Sequence, residues 1–395
     1  MINLNSSDFK LVESSKKENK EQIRPSLTYW KDAWRRLKKN KMAMIGLFSV
    51  LIIVLIAVFG PMFTPYSYSD QITDFSNIPP RFEVYEIEDG TYIYLSGQYR
   101  LFIVTGKGEI VERVPQTGSD LFNRIYTYTY NGEDIDIDYS YRLDPNSDID
   151  FTATYKGVTT DEPFGKVSNK TFLLGSDNLG RDVLTRVMYG ARISLTVALV
   201  ATLVNLIIGV AYGAISGFEG GKFDNILMRI VDIIDSIPLL LYVILLMVLI
   251  NDRGLWTIVI TLGTVYWVGM ARLVRGQVLG LKEQEYVLAA RTIGVSRAKI
   301  IARHLIPNAM GPILVAMTMM IPTAVFTESF LSFIGLGISA PQASWGTLAN
   351  DALSALTIYP FQLLFPALAI AITMLSFNFL GDGLRSALDP RLRKG

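Results

Sequence analysis

Six long apolar runs, separated by charged stretches, constrain the fold of this sequence more than any other feature. A bilayer core about 30 Å thick requires roughly 20 apolar residues per helix, and the runs reach or approach that length. The sequence therefore predicts an all-α polytopic membrane protein with six transmembrane helices. The predicted spans are residues 42–63, 193–215, 230–250, 255–273, 310–331 and 361–380.

Charge is distributed unevenly along the chain, although the net charge is only +1. Lys and Arg clearly outnumber Asp and Glu in residues 1–41, and the end of the chain, residues 386–395, is also basic. Because cytoplasmic segments carry an excess of Lys and Arg, we expect both termini to be cytoplasmic. The first run, residues 42–63, lacks a small-residue cleavage site, so we predict a retained anchor. Aromatic and basic residues at 27–37 predict a helix in the membrane interface.

Residues 64–185 are too many for a simple connection, and they are acidic. Their alternating runs lie between Gly, Asn and Asp residues, which predicts short antiparallel strands. The positive-inside rule places the segment outside the cell. We therefore predict an inserted extracellular β-rich domain, followed by a core of five transmembrane helices at residues 186–385. The alternative is an insertion with no role of its own. The alternating runs are residues 92–95, 99–104, 125–130 and 135–139.

The residue inventory excludes several kinds of site. The chain has no cysteine and one histidine, His304, which rules out disulfide frameworks, Cys/His metal sites and thiol nucleophiles. The closest string to a P-loop, at residues 216–223, lacks the first glycine and the Ser or Thr that such a loop needs. Basic clusters follow the expected topology, so nothing independent indicates nucleic-acid binding. We expect no catalytic residue, cofactor or metal in this chain, and we interpret the sequon at Asn169 as chance.

The loop at residues 272–309 contains a pattern suited to contact with another protein. Glu285, Ala289 and Ala290 fall near one face of a predicted helix, since residues four apart are neighbours. Small side chains on that face would let a partner approach closely. The alternative is a basic amphipathic loop that lies on the membrane surface.

Glycine and proline divide the same loop. Gly294 is predicted to end the first helix, because glycine readily takes the left-handed conformation at a C-terminal cap. A second helix is predicted over residues 296–304, and we expect Pro307 to break it before the fifth span. The sequence thus predicts a helix, a tight turn and a second helix that protrude into the cytoplasm.

Acidic residues also lie within or beside the apolar runs. Glu328 falls in the predicted fifth span, where an ionisable residue is costly and indicates function. It is predicted to line a pathway or to pair with a partner subunit. The alternative is that the span ends near Phe326, which would leave Glu328 in the outer mouth. Asp232 and Asp235 are expected at the cytoplasmic interface, paired with nearby basic residues.

The loop resembles the EAA signature of ABC importer permeases, which forms the docking helix for the ATPase. This signature consists of Glu-Ala-Ala, a gap of three residues, Gly, a gap of nine residues, Ile, a gap of one residue, and Leu-Pro. The matching positions are Ala289, Ala290, Gly294 and Pro307. The sequence departs from the signature at Leu288, His304 and Ile306. The stretches 285–291 and 303–308 are nevertheless typical of the peptide and nickel branch of these permeases.

Three further segments, at residues 174–195, 328–346 and 377–392, resemble the C-type subunit of oligopeptide and dipeptide importers. The resemblance covers roughly residues 172–393 together with the first span, but not most of the predicted β-rich domain. It implies the fold of a type I ABC importer permease. The residues that it assigns to coupling with the ATPase are Glu285, Tyr286, Ala289, Ala290, Arg291, Gly294 and Pro307.

The same resemblance implies a set of partners and a location. We expect a permease subunit of an oligopeptide or dipeptide importer in a bacterial plasma membrane, paired with a second homologous permease. Two ABC ATPase subunits would use ATP and Mg²⁺, and an extracellular peptide-binding protein would deliver the substrate. The alternatives are a permease for nickel or another small solute, or a secondary transporter or channel.

Overall fold

The computed structural model describes residues 29–143, 147, 149–250 and 254–388, which contain twelve α-helices and ten β-strands. The predicted N-terminal tail up to residue 28 and the end of the predicted C-terminal tail, from residue 389, lie outside the described residues. The helices are α1 (Tyr29–Lys39), α2 (Lys41–Phe59), α3 (Val183–Glu219), α4 (Gly221–Asp235), α5 (Leu239–Ile250), α6 (Leu255–Val265), α7 (Trp267–Leu281), α8 (Glu285–Thr292), α9 (Arg297–Ile300), α10 (Ile306–Leu331), α11 (Trp345–Asp351) and α12 (Phe361–Leu388). The strands are β1 (Arg81–Glu88), β2 (Thr91–Leu95), β3 (Leu101–Val104), β4 (Ile110–Val114), β5 (Gln116–Asp120), β6 (Ile125–Tyr130), β7 (Glu133–Asp138), β8 (Thr152–Tyr155), β9 (Val158–Thr160) and β10 (Gly165–Ser168).

Five helices in the described ranges are long and apolar enough to cross a membrane, and α4 with α5 makes a sixth if this bent pair is one span. The chain is therefore a multi-pass membrane protein, as the sequence predicts. The five helices are Lys41–Met62, Val183–Glu219, Leu255–Leu281, Arg297–Leu336 and Phe361–Leu388.

The predicted third span, residues 230–250, is wrong as a single straight helix. Helices α4 and α5 meet at an angle of 85° across a break after Asp235. Pro238 lies in this break, and proline disfavours a helical conformation of the residue before it. The hydroxyl group of Ser236 donates to the Ile233 carbonyl oxygen at 2.7 Å, which occupies a carbonyl group at the end of α4.

Helix α3 begins ten residues before the predicted second span, at Val183, and is 37 residues long. Asp182 is its N-cap, because the carboxylate accepts a hydrogen bond from the Thr185 backbone N–H at 2.7 Å. Such a cap satisfies a backbone donor that the helix itself leaves free. The polar first turns of α3 therefore continue the membrane helix beyond its apolar run.

Close packing of α3 on α7 organises the helical bundle. Gly209, Gly213 and Gly217 lie four residues apart and therefore share one face of α3. A Cβ atom on Gly213 would lie 2.3 Å from the Ala271 carbonyl oxygen, and one on Gly217 would lie 2.8 Å from that of Arg275. The two backbones are in contact along this seam, as small residues permit between membrane helices.

The N-terminal helices pack on the C-terminal helix. Asn40 separates α1 from α2, and its side chain accepts a hydrogen bond from the Ala43 N–H at 3.2 Å. Leu37 and Ala43 are buried beside Ala387 of α12, whereas Trp34 on another face of α1 is exposed. The helix predicted near residues 27–37 is thus present and amphipathic.

The chain between α2 and α3 contains the predicted β-rich domain. Its ten strands form two five-stranded sheets with the orders β10-β1-β2-β3-β4 and β5-β6-β7-β8-β9, and neighbouring strands are antiparallel. Ile135 and Ile137 of β7 are buried, while Asp134 and Asp136, which alternate with them, are exposed. This period of two is what predicted the strand. Tyr128 of β6 is buried in the same cluster, so the domain has its own core.

One buried side chain joins the β-rich domain to the helices. Gln362 in the first turn of α12 donates to the Asn77 side-chain oxygen at 2.8 Å and to the Ser176 carbonyl oxygen at 3.0 Å. Asn77 precedes β1 and Ser176 follows β10. Both ends of the inserted domain are therefore attached to the same helix.

Candidate functional site

The predicted docking loop is a helix, a glycine turn and a second helical segment, as expected. Helix α8 ends at Thr292, and Gly294 has a φ of +78°. The Val295 N–H donates to the Ala290 carbonyl oxygen at 3.1 Å, which is the bond that closes a Schellman cap. A side chain would strain this left-handed conformation, so the predicted role of Gly294 at the end of the helix is confirmed.

The two faces of α8 have different surroundings. Val287 and Ala290 are buried and pack with Ile300 and Leu305 in one apolar cluster. The exposed residues are Glu285, Tyr286, Leu288, Ala289, Arg291, Thr292, Ile293 and Gly294. Consecutive residues are about 100° apart around a helix, so Ala290 faces the inside of the chain. It does not share the exposed face on which it was expected with Glu285 and Ala289.

Contacts with the end of α3 hold this loop in place. The Arg291 guanidinium lies 4.8 Å from the centroid of the Phe218 ring, and Arg297 pairs with Glu219 at 2.9 Å. The Lys282 ammonium donates to the Gly217 carbonyl oxygen at 3.1 Å. These partners were not predicted from the sequence. The available signal was Glu219, an acidic residue shortly after the second apolar run, which pairs with Arg297. The Arg297 side chain is exposed, so its ion pair with Glu219 adds little to stability and mainly orients the loop.

Pro307 does not break the helix that precedes it, and that prediction is wrong. Helix α9 continues through one π-helical turn, Ile301–Leu305, directly into α10, and Pro307 lies in the first turn of α10. Proline removes one backbone donor from this continuous helix, and the π-helical turn lies directly before it. The Asn308 side-chain amide donates to the His304 carbonyl oxygen at 2.6 Å. That carbonyl group therefore has a partner beside the proline.

An ion pair that the sequence did not indicate joins three helices near this loop. Arg275 of α7 donates two hydrogen bonds to Asp224 of α4, each of 2.6 Å. The Ser216 hydroxyl group of α3 donates to the same carboxylate. Two-point contact between arginine and a carboxylate is geometrically specific. The arrangement fixes α4 against the seam of α3 and α7.

Asp232 and Asp235 on α4 form the pairs that were predicted for them. Arg272 of α7 donates to Asp232 at 3.0 Å and to Asp235 at 2.6 Å. All three side chains are about half exposed in the chain. One arginine therefore bridges two carboxylates one helical turn apart, which supports a structural role.

Glu328 is fully buried within its own chain. Its carboxyl oxygens accept hydrogen bonds from the hydroxyl groups of Ser194 at 2.9 Å and Ser332 at 2.8 Å. The Ser344 hydroxyl group donates onward to that of Ser332 at 3.2 Å. The carboxyl group thus faces α3 and the segment after α10, and not an open pathway or a subunit surface. Helix α10 continues past Phe326 to Leu331, so Glu328 lies within the helix, and the position of the membrane boundary near Phe326 stays a prediction.

A second charged cluster lies where the β-rich domain meets α3. Asp177 accepts hydrogen bonds from Arg181 and Arg186, each at 2.6 Å, and Asp351 of α11 lies 3.5 Å from Arg186. Burial raises the pKa of the neighbouring Asp182 carboxyl group, while hydrogen bonds from Thr185 oppose that rise. The cluster joins the start of α3 to α11, within a segment that resembles the C-type permease subunit.

The side chain of Asn169 is buried and hydrogen-bonded through both its nitrogen and its oxygen. Its amide nitrogen donates to the Pro79 carbonyl oxygen at 3.1 Å, and its oxygen accepts from the Phe172 N–H at 2.8 Å. A glycan could not be attached without breaking these bonds, so the geometry supports the interpretation of the sequon as chance.

Comparison with known families agrees with this architecture. Residues 209–394 match the family described as binding-protein-dependent transport system inner membrane component, and residues 28–80 match the N-terminal TM domain of oligopeptide transport permease C. The oligopeptide transport system permease protein OppC of Bacillus subtilis (strain 168) is 41% identical over 369 residues, which are 93% of this chain and 92% of that protein. The chain belongs to this permease family. That membership confirms the resemblance to ABC importer permeases and disfavours the secondary transporter or channel.

Two dipeptide permeases resemble this permease over nearly all of its length. The dipeptide transport system permease protein DppC of Bacillus subtilis (strain 168) is 41% identical over 387 residues, covering 98% of this chain and 93% of that protein. The DppC protein of Lactococcus lactis subsp. cremoris (strain MG1363) is 36% identical over 399 residues and covers 99% of both chains.

Proposed function

We propose that this permease is the transmembrane subunit of an ATP-driven importer that carries oligopeptides or dipeptides across the bacterial plasma membrane. The observation that carries the proposal is the similarity, over more than nine tenths of the chain, to the oligopeptide and dipeptide permease proteins named above. That similarity favours peptides over the alternative of nickel or another small solute. In this proposal the chain has no chemistry of its own, and separate ATPase subunits bind ATP and Mg²⁺.

The exposed face of α8 and the turn after it form the proposed docking surface for an ATPase subunit. Its members are Glu285, Tyr286, Ala289, Arg291, Ile293 and Gly294. The Ile293 side chain is 79% exposed and Tyr286 is 41% exposed, and apolar side chains that protrude from a polar loop favour a protein interface. A short helix that inserts into a groove is a common mode of recognition.

Ala290 and Pro307 belong to the proposed coupling machinery in a different way. Ala290 packs α8 against the residues that precede α10, and Pro307 lies where the loop becomes that long helix. Neither residue is proposed to contact the ATPase directly. They keep the docking surface rigidly connected to the membrane helix.

The proposed topology places both termini and α8 in the cytoplasm and the β-rich domain outside the cell. The basic N-terminus and the acidic insertion support this orientation through the positive-inside rule. In the membrane the chain would pair with a second homologous permease, and two ATPase subunits would bind below. An extracellular peptide-binding protein would dock above.

The β-rich domain offers one apolar surface to that binding protein. The turn between β5 and β6 exposes Leu121 by 71% and Phe122 by 95%. Asp120 holds the turn, since its carboxylate accepts hydrogen bonds from the backbone N–H groups of Phe122 and Asn123 at 3.0 Å each. These bonds, with one from the Asn123 side chain, lower the pKa of Asp120. A rigid turn with an exposed aromatic tip suits protein contact.

Site-directed crosslinking tests the docking surface, and the absence of native cysteine makes the test clean. A single cysteine at Ala289 or Ile293 is expected to crosslink to a cysteine in the ATPase groove of the assembled complex. A cysteine at Ala290 is the matched control, because that position is only 6% exposed and is expected to stay unlinked. Equal crosslinking at Ala289 and Ala290 would contradict the proposed face.

Transport by the reconstituted complex tests the substrate. The permease is co-purified with its partner subunits, placed in lipid vesicles, and supplied with the binding protein and ATP. We expect uptake of labelled dipeptides or oligopeptides and no uptake of nickel. Nickel uptake without peptide uptake would refute the proposal in favour of the alternative.

A further inference from the structure

Helix α1 turns two tryptophan side chains outward beside its buried face. The buried face is fixed to α12, where Leu37 packs with Ala387 and a Cβ atom on Gly383 would lie 3.1 Å from the Leu37 side chain. Trp30 and Trp34 are 55% and 47% exposed. Consecutive helix residues are about 100° apart, so both tryptophans lie within about 60° of Leu37. They form an aromatic stripe along the edge of the packed face.

Basic side chains lie directly beyond this aromatic stripe. Lys31, Arg35 and Lys38 are exposed, and their spacing of four and three residues puts them on one side of the helix. We call these three residues the basic stripe. The Lys38 ammonium group lies 5.3 Å from the centroid of the Trp34 ring, so the two stripes adjoin. Around α1 the order is therefore the packed face, the tryptophans and then the cations.

The single acidic residue of α1 does not neutralise the basic stripe. The helix contains five Lys or Arg residues and one Asp. Asp32 pairs with Arg36 at 2.9 Å and lies 3.4 Å from Arg35, so one carboxylate faces two guanidinium groups. Lys31 and Lys38 have no carboxylate partner among the residues that the structure describes. The helix therefore keeps a positive surface, which attracts an anionic partner.

Helix α1 lies at the edge of the region that a membrane would cover. The backbone is extended at Asn40, with φ −86° and ψ 104°, and a helix long and apolar enough to cross a membrane begins at Lys41. The side chains of Met42 and Ile45 in its first turns are already exposed on the protein surface, where lipid would cover them. Tryptophan is enriched at this boundary between hydrocarbon and headgroups. The aromatic stripe is therefore placed at headgroup level, with the basic stripe beside it.

We propose that the aromatic and basic stripes of α1 bind the headgroups of anionic phospholipids at the membrane surface. A helix with apolar aromatic residues on one side and cations beside them lies in the interface plane and is sensitive to lipid composition. Basic residues next to a membrane span also attract negatively charged headgroups. Because α12 fixes the packed face, the lipid is held at a defined place beside the first span. This inference goes beyond the proposed transport function and does not depend on the substrate.

Quenching of tryptophan fluorescence by brominated lipids tests the site in the full complex. The complex is placed in nanodiscs of phosphatidylcholine with a minor fraction of phosphatidylglycerol, and the brominated acyl chains are carried by one lipid or by the other. Each complex is compared with the same complex carrying Trp30→Phe and Trp34→Phe, so the difference in fluorescence reports these two rings. We expect phosphatidylglycerol to quench them about fivefold more strongly, per molecule of lipid, than phosphatidylcholine does.

Two triple variants separate the basic stripe from the overall charge of the permease. The first removes the stripe with Lys31→Gln, Arg35→Gln and Lys38→Gln, and the ratio of quenching by the two lipids should then fall to less than about twofold. The matched control removes the same charge from exposed positions in the β-rich domain and should keep the fivefold ratio. Its substitutions are Arg81→Gln, Lys107→Gln and Lys170→Gln.

Three results would overturn the inference. Equal quenching by the two lipids in the unsubstituted permease would show that α1 contacts the membrane without a preference for anions. No quenching by either lipid would show that a protein segment, either residues 1–28 or a partner subunit, covers the tryptophans. An equal loss of preference in both triple variants would show an effect of net charge alone.

Salt dependence keeps the test decisive if the first triple variant does not reach the membrane. The Debye length falls to about 3 Å in 1 M salt, so the preference of the unsubstituted permease for phosphatidylglycerol should then disappear. A preference that persists in 1 M salt would overturn the role of the basic stripe.

Discussion

Replacement of Glu328 by leucine is expected to destabilise the permease, because serine hydroxyl groups that now donate to the carboxyl group would lose their acceptor. The two short contacts come from Ser194 and Ser332, and a third, from Ser329, is longer at 3.4 Å. Ser194 and Ser332 would be left buried without their present acceptor. A buried donor that loses its partner costs about 1–3 kcal/mol, so the two together predict a loss of about 2–6 kcal/mol. Glu328→Gln keeps one oxygen acceptor and should cost less than about 2 kcal/mol by the same reasoning.

Thermal unfolding of the purified permease in lipid nanodiscs measures this difference. Trp345 lies beside this site, because it is 2% exposed and its backbone N–H lies 3.3 Å from the Ser194 hydroxyl oxygen. The chain has five tryptophans, so Trp345 is a local fluorescent reporter in a background where the other four are replaced by phenylalanine. Glu285→Leu is the matched control, since the same change at an exposed position should alter stability by less than about 0.5 kcal/mol. If Glu328→Leu unfolds at the temperature of Glu328→Gln and of the control, the serine contacts do not stabilise the fold and the reasoning fails.

Three further predictions address packing, pH dependence and topology. Gly213→Ala places a Cβ atom 2.3 Å from a carbonyl oxygen of α7 and should lower the free energy of unfolding by about 1–3 kcal/mol. Gly276→Ala is the control, because its Cβ atom would meet nothing within 4 Å among the described residues. It should be neutral or stabilising in the same thermal unfolding assay. Burial, with nearby carboxylates, raises the pKa of Tyr85 from 10.0 to about 12, so its contribution to stability is present below pH 10 and lost as the pH rises toward 12. Because the chain has 19 tyrosines, the ionisation of Tyr85 is measured as the difference in tyrosinate absorbance between the unsubstituted permease and Tyr85→Phe. This difference should appear together with the loss of β-sheet circular dichroism, and its appearance before unfolding would contradict the reasoning. A single cysteine at Phe122 should react with an impermeant maleimide on intact cells and one at Ile293 only after lysis, and the opposite pattern would refute the proposed orientation.

Local periodicity was sufficient to predict most of the secondary structure. The alternation of Ile135 and Ile137 with acidic residues indicated β7 because only one face of that strand is buried. Gly294 indicated the end of α8 because the left-handed conformation needs a residue without Cβ. In both cases a local property determines the residue type, namely the burial of one face of the strand or the backbone conformation of a single residue.

The orientation of each face and the continuity of the helices could not be predicted in this way. Ala290 and Ala289 are equally small, and only the position of Ile300 and Leu305 decides that Ala290 is inside. A proline normally ends a helix, but at Pro307 the helix continues through the π-helical turn that precedes it. The partners of Glu328 come from α3 and from residues after α10. These outcomes depend on contacts between segments that are distant in sequence.

One continuous helical path joins the features that matter for the proposed mechanism. From Arg297 to Leu331 the chain is helical without a gap, which corresponds to about 50 Å at 1.5 Å per residue, and Pro312 and Pro322 lie inside this run. It begins beside the docking surface and reaches the buried Glu328. A force on α8 would therefore act along this helix toward Glu328 without a break at Pro307, as long as the π-helical turn stays intact. The substitution Ala302→Gly, inside that turn, should then reduce peptide-stimulated ATP hydrolysis and peptide uptake together. If both rates stay unchanged, the force is transmitted through another contact.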